Sequence, residues 1–178
     1  ITVYGSGAIG SIVGTCSFLS GEDVIFVDRV TDHVDHINKH GLLIRDLKGK
    51  DVRINPRAVE PHELEEKLGL VFLCVKSQDT RLAMETMLPN IGSESIVVSL
   101  QNGLNEEVIS EYIGSRNTIG CLVDWGGAYI GPGQIQYSGD APMRIGTLDG
   151  SITDSLMQIC TILNNTNDTT VTSNITGY

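Results

Sequence analysis

Residues 1–11 read ITVYGSGAIGS, and Gly5-Ser6-Gly7-Ala8-Ile9-Gly10 carries the spacing G-x-G-x-x-G. The spacing alone is weak because glycine is common, so its surroundings decide what it means. Before it, residues 1–4 form a short apolar run; after it, Ile9, Ile12, Val13, Cys16 and Leu19 recur at helical spacing. Strand, tight turn and helix are the expected order. Residues 24–27, VIFV, then give a second continuous apolar strand that stops in charge at Asp28 and Arg29. A strand, turn, helix and strand within about 30 residues is the context in which such glycines cradle a dinucleotide. Gly5 permits the sharp turn, Gly7 lets a pyrophosphate approach the backbone, and Gly10 lets helix and strand pack closely. Ser6, Ala8 and Ile9 complete the expected cofactor loop, with unpaired amides at the positive end of the helix. Gly14, one turn further on, supports the same close packing.

The pattern continues outward. Val30, Val34 and Ile37 mark a helix ending at Gly41, and residues 42–54 read as a hairpin turning at Lys48-Gly49-Lys50. Residues 60–67 read as a charged helix. Residues 70–75, LVFLCV, are apolar on every side, as in strands buried on both faces of a parallel sheet. That run stops at Lys76, and a helix carrying Leu82, Met84, Met87 and Leu88 follows to Pro89. Residues 95–100 repeat the theme, stop at Gln101-Asn102-Gly103, and lead into a helix over 105–112. The rhythm predicts an α/β fold: a Rossmann-like, doubly wound, mainly parallel sheet. Beyond Asn117, residues 118–123, 128–130, 134–137 and 143–145 read as antiparallel additions between glycine-rich turns. A helix over 152–163 and a strand near 169–172 follow. Residues 1–171 are expected to form one NAD(P)-binding domain, with 172–178 opening a second, all-helical domain cut off at Tyr178.

Composition narrows the class. With 178 residues and 40% hydrophobic content, the chain can bury one substantial core. No apolar run approaches the roughly 20 residues that cross a bilayer, and no signal peptide is evident, so a soluble cytoplasmic protein is expected. A net charge of −10 argues against non-specific nucleic-acid binding. Cys16, Cys74, Cys121 and Cys160 are widely spaced and mostly lie in apolar runs, which fits reduced thiols better than disulfides or zinc.

In an open parallel sheet, ligands bind beyond the carboxyl ends of the strands, where strand order reverses. The second strand delivers Asp28 and Arg29 there. A carboxylate accepts hydrogen bonds from ribose hydroxyls and favours NAD, whereas an arginine pairs with the 2′-phosphate of NADP. Lys76, directly after an apolar strand, can hold a carboxylate or a developing alkoxide. Asn102 offers a donor and an acceptor to a ribose or a substrate hydroxyl. His33, His36 and His40 share one side of a helix but flank its apolar stripe without a partner cluster, so no metal site is expected. Trp125 fits packing as well as substrate contact. Lys48, Lys50, Arg53 and Arg57 read as a solvated hairpin edge.

Four ordered motifs, GSGAIGS at the start, CVKSQDT at 74–80, LQNGLNEE at 100–107 and GPGQIQYSGDAPMRIGTLDG at 131–150, together resemble the ketopantoate reductase (2-dehydropantoate 2-reductase) family. The resemblance spans nearly the whole chain. It implies NADPH-dependent reduction of ketopantoate to pantoate, on the way to pantothenate and coenzyme A. Lys76 would contact substrate and cofactor, and Asn102 would help position them. The resemblance also implies a helical domain supplying the general-acid lysine beyond Tyr178, with homodimerisation through that domain left open. The fragment alone is then expected to be inactive. Arg29 is longer than Asp28 and is expected to reach the 2′ position, which favours NADPH with NADH as the alternative. Other readings are a related dehydrogenase acting on another 2-keto or 2-hydroxy acid and a non-catalytic NAD(P)-sensing module.

Overall fold

The computed structural model describes residues 1–177. In chain order the elements are β1 (Thr2–Tyr4), α1 (Ala8–Leu19), β2 (Ile25–Val27), α2 (Thr31–His40), β3 (Leu42–Leu47), β4 (Lys50–Ile54), β5 (Arg57–Val59) and β6 (Leu68–Leu73). There follow α3 (Thr80–Met87), β7 (Ile91–Ser99), α4 (Glu106–Ile113), β8 (Thr118–Val123), β9 (Gly127–Gly131), β10 (Gln134–Tyr137), β11 (Met143–Thr147), α5 (Asp154–Leu163) and β12 (Thr169–Val171). One sheet runs β12-β11-β8-β7-β6-β1-β2-β5 and a smaller one runs β4-β3-β10-β9. From β5 to β8 every neighbour is parallel, and the strands follow the Rossmann order 3-2-1-4-5-6. The order reverses between β1 and β6.

Alternation along the central strands builds a core on each face of the sheet. Val3, Phe26, Phe72 and Val98 face the side covered by α1, α2 and α5. Tyr4, Val27, Leu73 and Val97 face the side covered by α3 and α4. Both faces are buried, which is why these strands read as continuous apolar runs. Helix α1 lies between the large and small sheets and is buried from Gly10 through Ser17, so its sequence holds no charge. Gly14 permits this arrangement, since a Cβ there would fall 2.5 Å from the Phe26 ring.

The structure corrects several sequence expectations. Residues 60–67 are not a helix: a 3-10 turn covers Pro61–Glu63, closed by reciprocal bonds between Glu60 and Glu63. Leu64 is the segment's buried apolar residue, and a single apolar residue gives a helix no stripe to bury. Arg57 leaves the hairpin, opens β5 at the edge of the main sheet and pairs with Glu66. The later strands are not uniformly antiparallel: β8 runs parallel to β7 and antiparallel to β11, while β10 runs parallel to the distant β3. The expected helix over 152–163 begins at Asp154, because the Thr153 hydroxyl caps it by accepting from the Leu156 amide at 3.1 Å. Near the end, Ile175–Gly177 form a 3-10 turn, and Tyr178 lies outside the described residues.

Candidate functional site

The loop between β1 and α1 is built from backbone. Gly5 has φ +96°, the left-handed region where glycine is favoured, and its amide donates to the Val27 carbonyl at 2.8 Å. A Cβ at Gly10 would run into the Gly5 carbonyl oxygen and the Val3 side chain. Gly7 differs: it caps α1 in extended backbone, and a Cβ there would meet nothing within 4 Å. No side chain caps this helix and its first turn holds no acidic residue, so the amides leading into Ala8 and Ile9 keep their positive field.

Ser6 pins the loop from below. Its amide and hydroxyl donate to Asp28 Oδ2 at 2.8 and 3.1 Å, and its carbonyl accepts from the Ser11 hydroxyl at 2.7 Å. The same carbonyl meets His33 Nε2 at 2.8 Å, while the Gly133 amide donates to His33 Nδ1 at 2.9 Å. An Nδ1 that accepts fixes the tautomer, so Nε2–H is the donor to Ser6. Burial lowers the His33 pKa below 6.5 and keeps the ring neutral. His33 therefore ties the glycine loop to the β9–β10 turn. His36 and His40 lie ring to ring at 4.9 Å. Among the described residues no group of three or more His, Cys, Asp or Glu is placed to hold a metal ion.

At the switch point a cavity of about 320 Å³ is lined by Gly5, Gly7, Asp28, Arg29, Lys76 and Asp79, with apolar flanks from Val30 and Leu82. The remaining Asp28 oxygen accepts from the Val30 amide at 3.0 Å, so its carboxylate caps the entry to α2 as well as holding Ser6. Arg29 reaches across and pairs with Asp79 through two bonds of 3.2 Å. Lys76 is exposed at the end of the strand-to-loop run, and no side chain among the described residues pairs with its ammonium.

Asn102 is also exposed, but its backbone is held. Its carbonyl accepts from the Ser77 hydroxyl at 2.5 Å and from Asn105 Nδ2 at 2.9 Å. Asn105 Nδ2 also reaches Ser77 Oγ at 3.2 Å, and Asn105 Oδ1 accepts from the Thr80 hydroxyl at 3.2 Å. Gln101 Nε2 donates to the Val75 carbonyl at 2.9 Å and to Thr80 Oγ1 at 2.8 Å. This network locks the loops after β6 and β7 together and leaves the Lys76 and Asn102 side chains outside it. A second cavity, about 470 Å³, opens beside Asn102 and is lined by Gln101, Glu106, Cys121 and Thr176 among others. Burial raises the Glu106 pKa there, and a hydrogen bond with Ser99 works against the shift.

The structure thus gathers Gly5, Gly7, Asp28, Arg29 and Lys76 around one cavity and sets Asn102 on the next, joined through Ser77. Ser6 and Gly10 serve the loop from within. Trp125 sits in the core, its ring 5.8 Å from that of Tyr137. All four cysteines are free thiols, and burial pushes Cys74 and Cys121 far up. Sequence reasoning missed Asp79, Gln101, Asn105 and the His33 bridge. Asn105, a buried amide two residues after an Asn-Gly turn, was the one with a local signal.

Known proteins agree with this architecture. The chain is 34% identical over its whole length to the 2-dehydropantoate 2-reductase of Pyrococcus horikoshii, of which it covers 58%. Among solved structures, D-mandelate dehydrogenase with NADH and anilino(oxo)acetate superposes with a TM-score of 0.90 at 24% identity, covering 99% of this chain and 58% of that one. The 2-dehydropantoate 2-reductase of Methylococcus capsulatus gives 0.83 at 25% identity, covering 98% and 57%. The chain spans little more than half the length of the curated relatives it matches, 52–58%. The family model described as ketopantoate reductase PanE/ApbA matches residues 1–150, and with the open helix end at the switch point this establishes that the chain belongs to the ketopantoate reductase family.

Proposed function

We propose that this chain binds NADPH along the crevice at the switch point and serves the reduction of ketopantoate to pantoate. The observation that carries the reading is the open start of α1, where Gly7 leaves free space beside uncapped amides and Lys76 lines the same cavity. These residues fit a dinucleotide: backbone amides from Gly7 to Gly10 for the pyrophosphate, Asp28 and Arg29 toward the adenosine ribose. NADPH supplies the hydride. Lys76 holds the substrate carboxylate or the alkoxide that develops as the ketone is reduced, and Asn102 orients a ribose or substrate hydroxyl.

A second reading is NADH with another 2-keto acid. Its support is Asp28 at the end of β2, where a ribose is read, and the D-mandelate dehydrogenase neighbour that holds NADH. The test is steady-state reduction of ketopantoate and of an aryl 2-keto acid by the complete protein with each cofactor. Lys76→Ala is expected to lower kcat/KM by about two orders of magnitude or more while the fold survives. Near-normal turnover in that variant returns Lys76 to an ordinary surface charge, and binding without turnover of either acid points to a sensor.

A further inference from the structure

The sequence sets Asp28 against Arg29 as the residues that choose the cofactor, and the structure engages both Asp28 oxygens in the loop while a different acid meets Arg29. The Asp28 carboxylate accepts from the Ser6 amide, the Ser6 hydroxyl and the Val30 amide, and so is turned into the loop. The acid that faces Arg29 comes from 50 residues away. Asp79 takes both Arg29 terminal nitrogens at 3.2 Å, and both residues line the cavity at the switch point.

We infer that Asp79 is a specificity-determining residue that weakens NADPH relative to NADH by competing with the 2′-phosphate for Arg29. This rests on the reading of Arg29 as the 2′-phosphate partner. The two ends of the pair are unequal. Asp79 is held in a turn by its own amide, which donates to the Lys76 carbonyl at 2.8 Å, and its side chain is 23% exposed. The Arg29 side chain is 66% exposed and is the free end. A phosphate dianion arriving at Arg29 meets one of two situations. Either the guanidinium swings away from Asp79, or it stays and the phosphate lies a few ångströms from a fixed carboxylate. Both oppose NADPH. Neither touches NADH, whose 2′-hydroxyl carries no charge and accepts or donates a hydrogen bond equally well beside an acid. Lys76, three residues before Asp79, lends positive charge to both cofactors through groups they share, so it does not discriminate between them.

Dissociation constants for NADPH and NADH, measured by calorimetry at low and moderate salt, test this on the parent, Asp79→Asn, Arg29→Ala and the double variant. Asp79→Asn is expected to tighten NADPH about fivefold, the scale of one partly screened charge interaction, and to leave NADH within about twofold. Added salt shrinks the gain. In the Arg29→Ala background, Asp79→Asn frees no guanidinium and relieves only the direct repulsion between carboxylate and phosphate, so its gain is smaller than in the parent. If Asp79→Asn leaves NADPH unchanged or weakens it while Arg29→Ala weakens NADPH, Asp79 orients Arg29 and the inference is overturned with the reading of Arg29 intact. If Arg29→Ala leaves NADPH affinity unchanged, the reading of Arg29 falls and takes the inference with it. The pair lies on the surface, and thermal melting of each variant provides the check that the fold is retained.

Discussion

The loop after β1 and the loops after β6 and β7 face one crevice and are built in opposite ways. In the first, backbone makes the surface proposed to bind the dinucleotide, and every polar group of Ser6 is consumed in holding it. In the others the backbone is pinned by Gln101 and Asn105, and the side chains of Lys76 and Asn102 project beyond the pinning network. Substitution should therefore break them differently. The first loop fails through lost space, whereas the others fail through lost functional groups or slackened support.

The sharpest contrast lies within the first loop. Gly10→Ala places a Cβ against the Gly5 carbonyl oxygen, a backbone atom held under α1, so relief requires moving the helix start. Urea denaturation is expected to show a loss of about 3 kcal/mol, the upper end of the usual cost of overpacking. Gly7→Val meets no protein atom with its Cβ and is expected to stay within about 1 kcal/mol of the parent, a cap-sized effect. On the proposed reading, calorimetry on the same variant should register NADPH binding weakened at least about tenfold, because the side chain would fill the pyrophosphate's approach. Equal stability losses at the two positions would show that the loop is uniformly packed, and the distinction between its upper and lower faces would disappear.

Asn105 probes the other construction. It is buried, and its amide joins Ser77, Asn102 and Thr80. Asn105→Ala is expected to cost about 1–3 kcal/mol, the range for orphaning buried polar partners. The larger signature is functional: kcat should fall while dinucleotide affinity holds, because the adenosine side of the crevice keeps its own supports. A matched fall in affinity would mean that the two loop systems are not independent.

These contrasts also explain what the sequence reveals. The glycine loop and the central strands are legible because their signals are local: a fixed spacing, a switch from apolar run to helical period, a charge at each strand end. The exposed positions of Lys76 and Asn102 beyond their strands are legible for the same reason. The contacts that finish the site join residues far apart in sequence. Asp79 meets Arg29 across 50 residues, and His33 meets Gly133 across 100. Neither partner carries a local mark of the other. The parallel pairing of β3 with β10 is of the same kind, and β5, with three residues, is too short for periodicity to register. Residues 60–67 mislead in the opposite sense, since charge and length suggest a helix that has almost nothing to bury.

The smallest expected effect concerns pH and isolates the bridge between the glycine loop and the second sheet. His33 is neutral in the fold, with its pKa depressed by burial, and ordinary, near 6.5, when unfolded. Between those two values the unfolded chain binds the proton and the folded chain does not, so stability falls as pH drops below about 6.5. The slope is at most about 1.4 kcal/mol per pH unit, and the loss stops growing below the folded pKa. Glu106 acts in the opposite direction: burial raises its folded pKa above 4.5, so between 4.5 and the raised value the folded chain binds the extra proton and gains stability as pH falls. The parent curve alone therefore mixes two signs, and the measurement is the difference between parent and His33→Gln. Glutamine keeps a donor for the Ser6 carbonyl and cannot take up the charge. Urea denaturation from pH 7.5 to 5 should start with the variant less stable, because one side chain amide replaces a ring that spans both Ser6 and Gly133. The gap should then narrow as pH falls, since the parent alone carries the histidine penalty. A constant gap across that range would mean that His33 titrates alike in both states, and the neutral bridge between the sheets would have no energetic consequence.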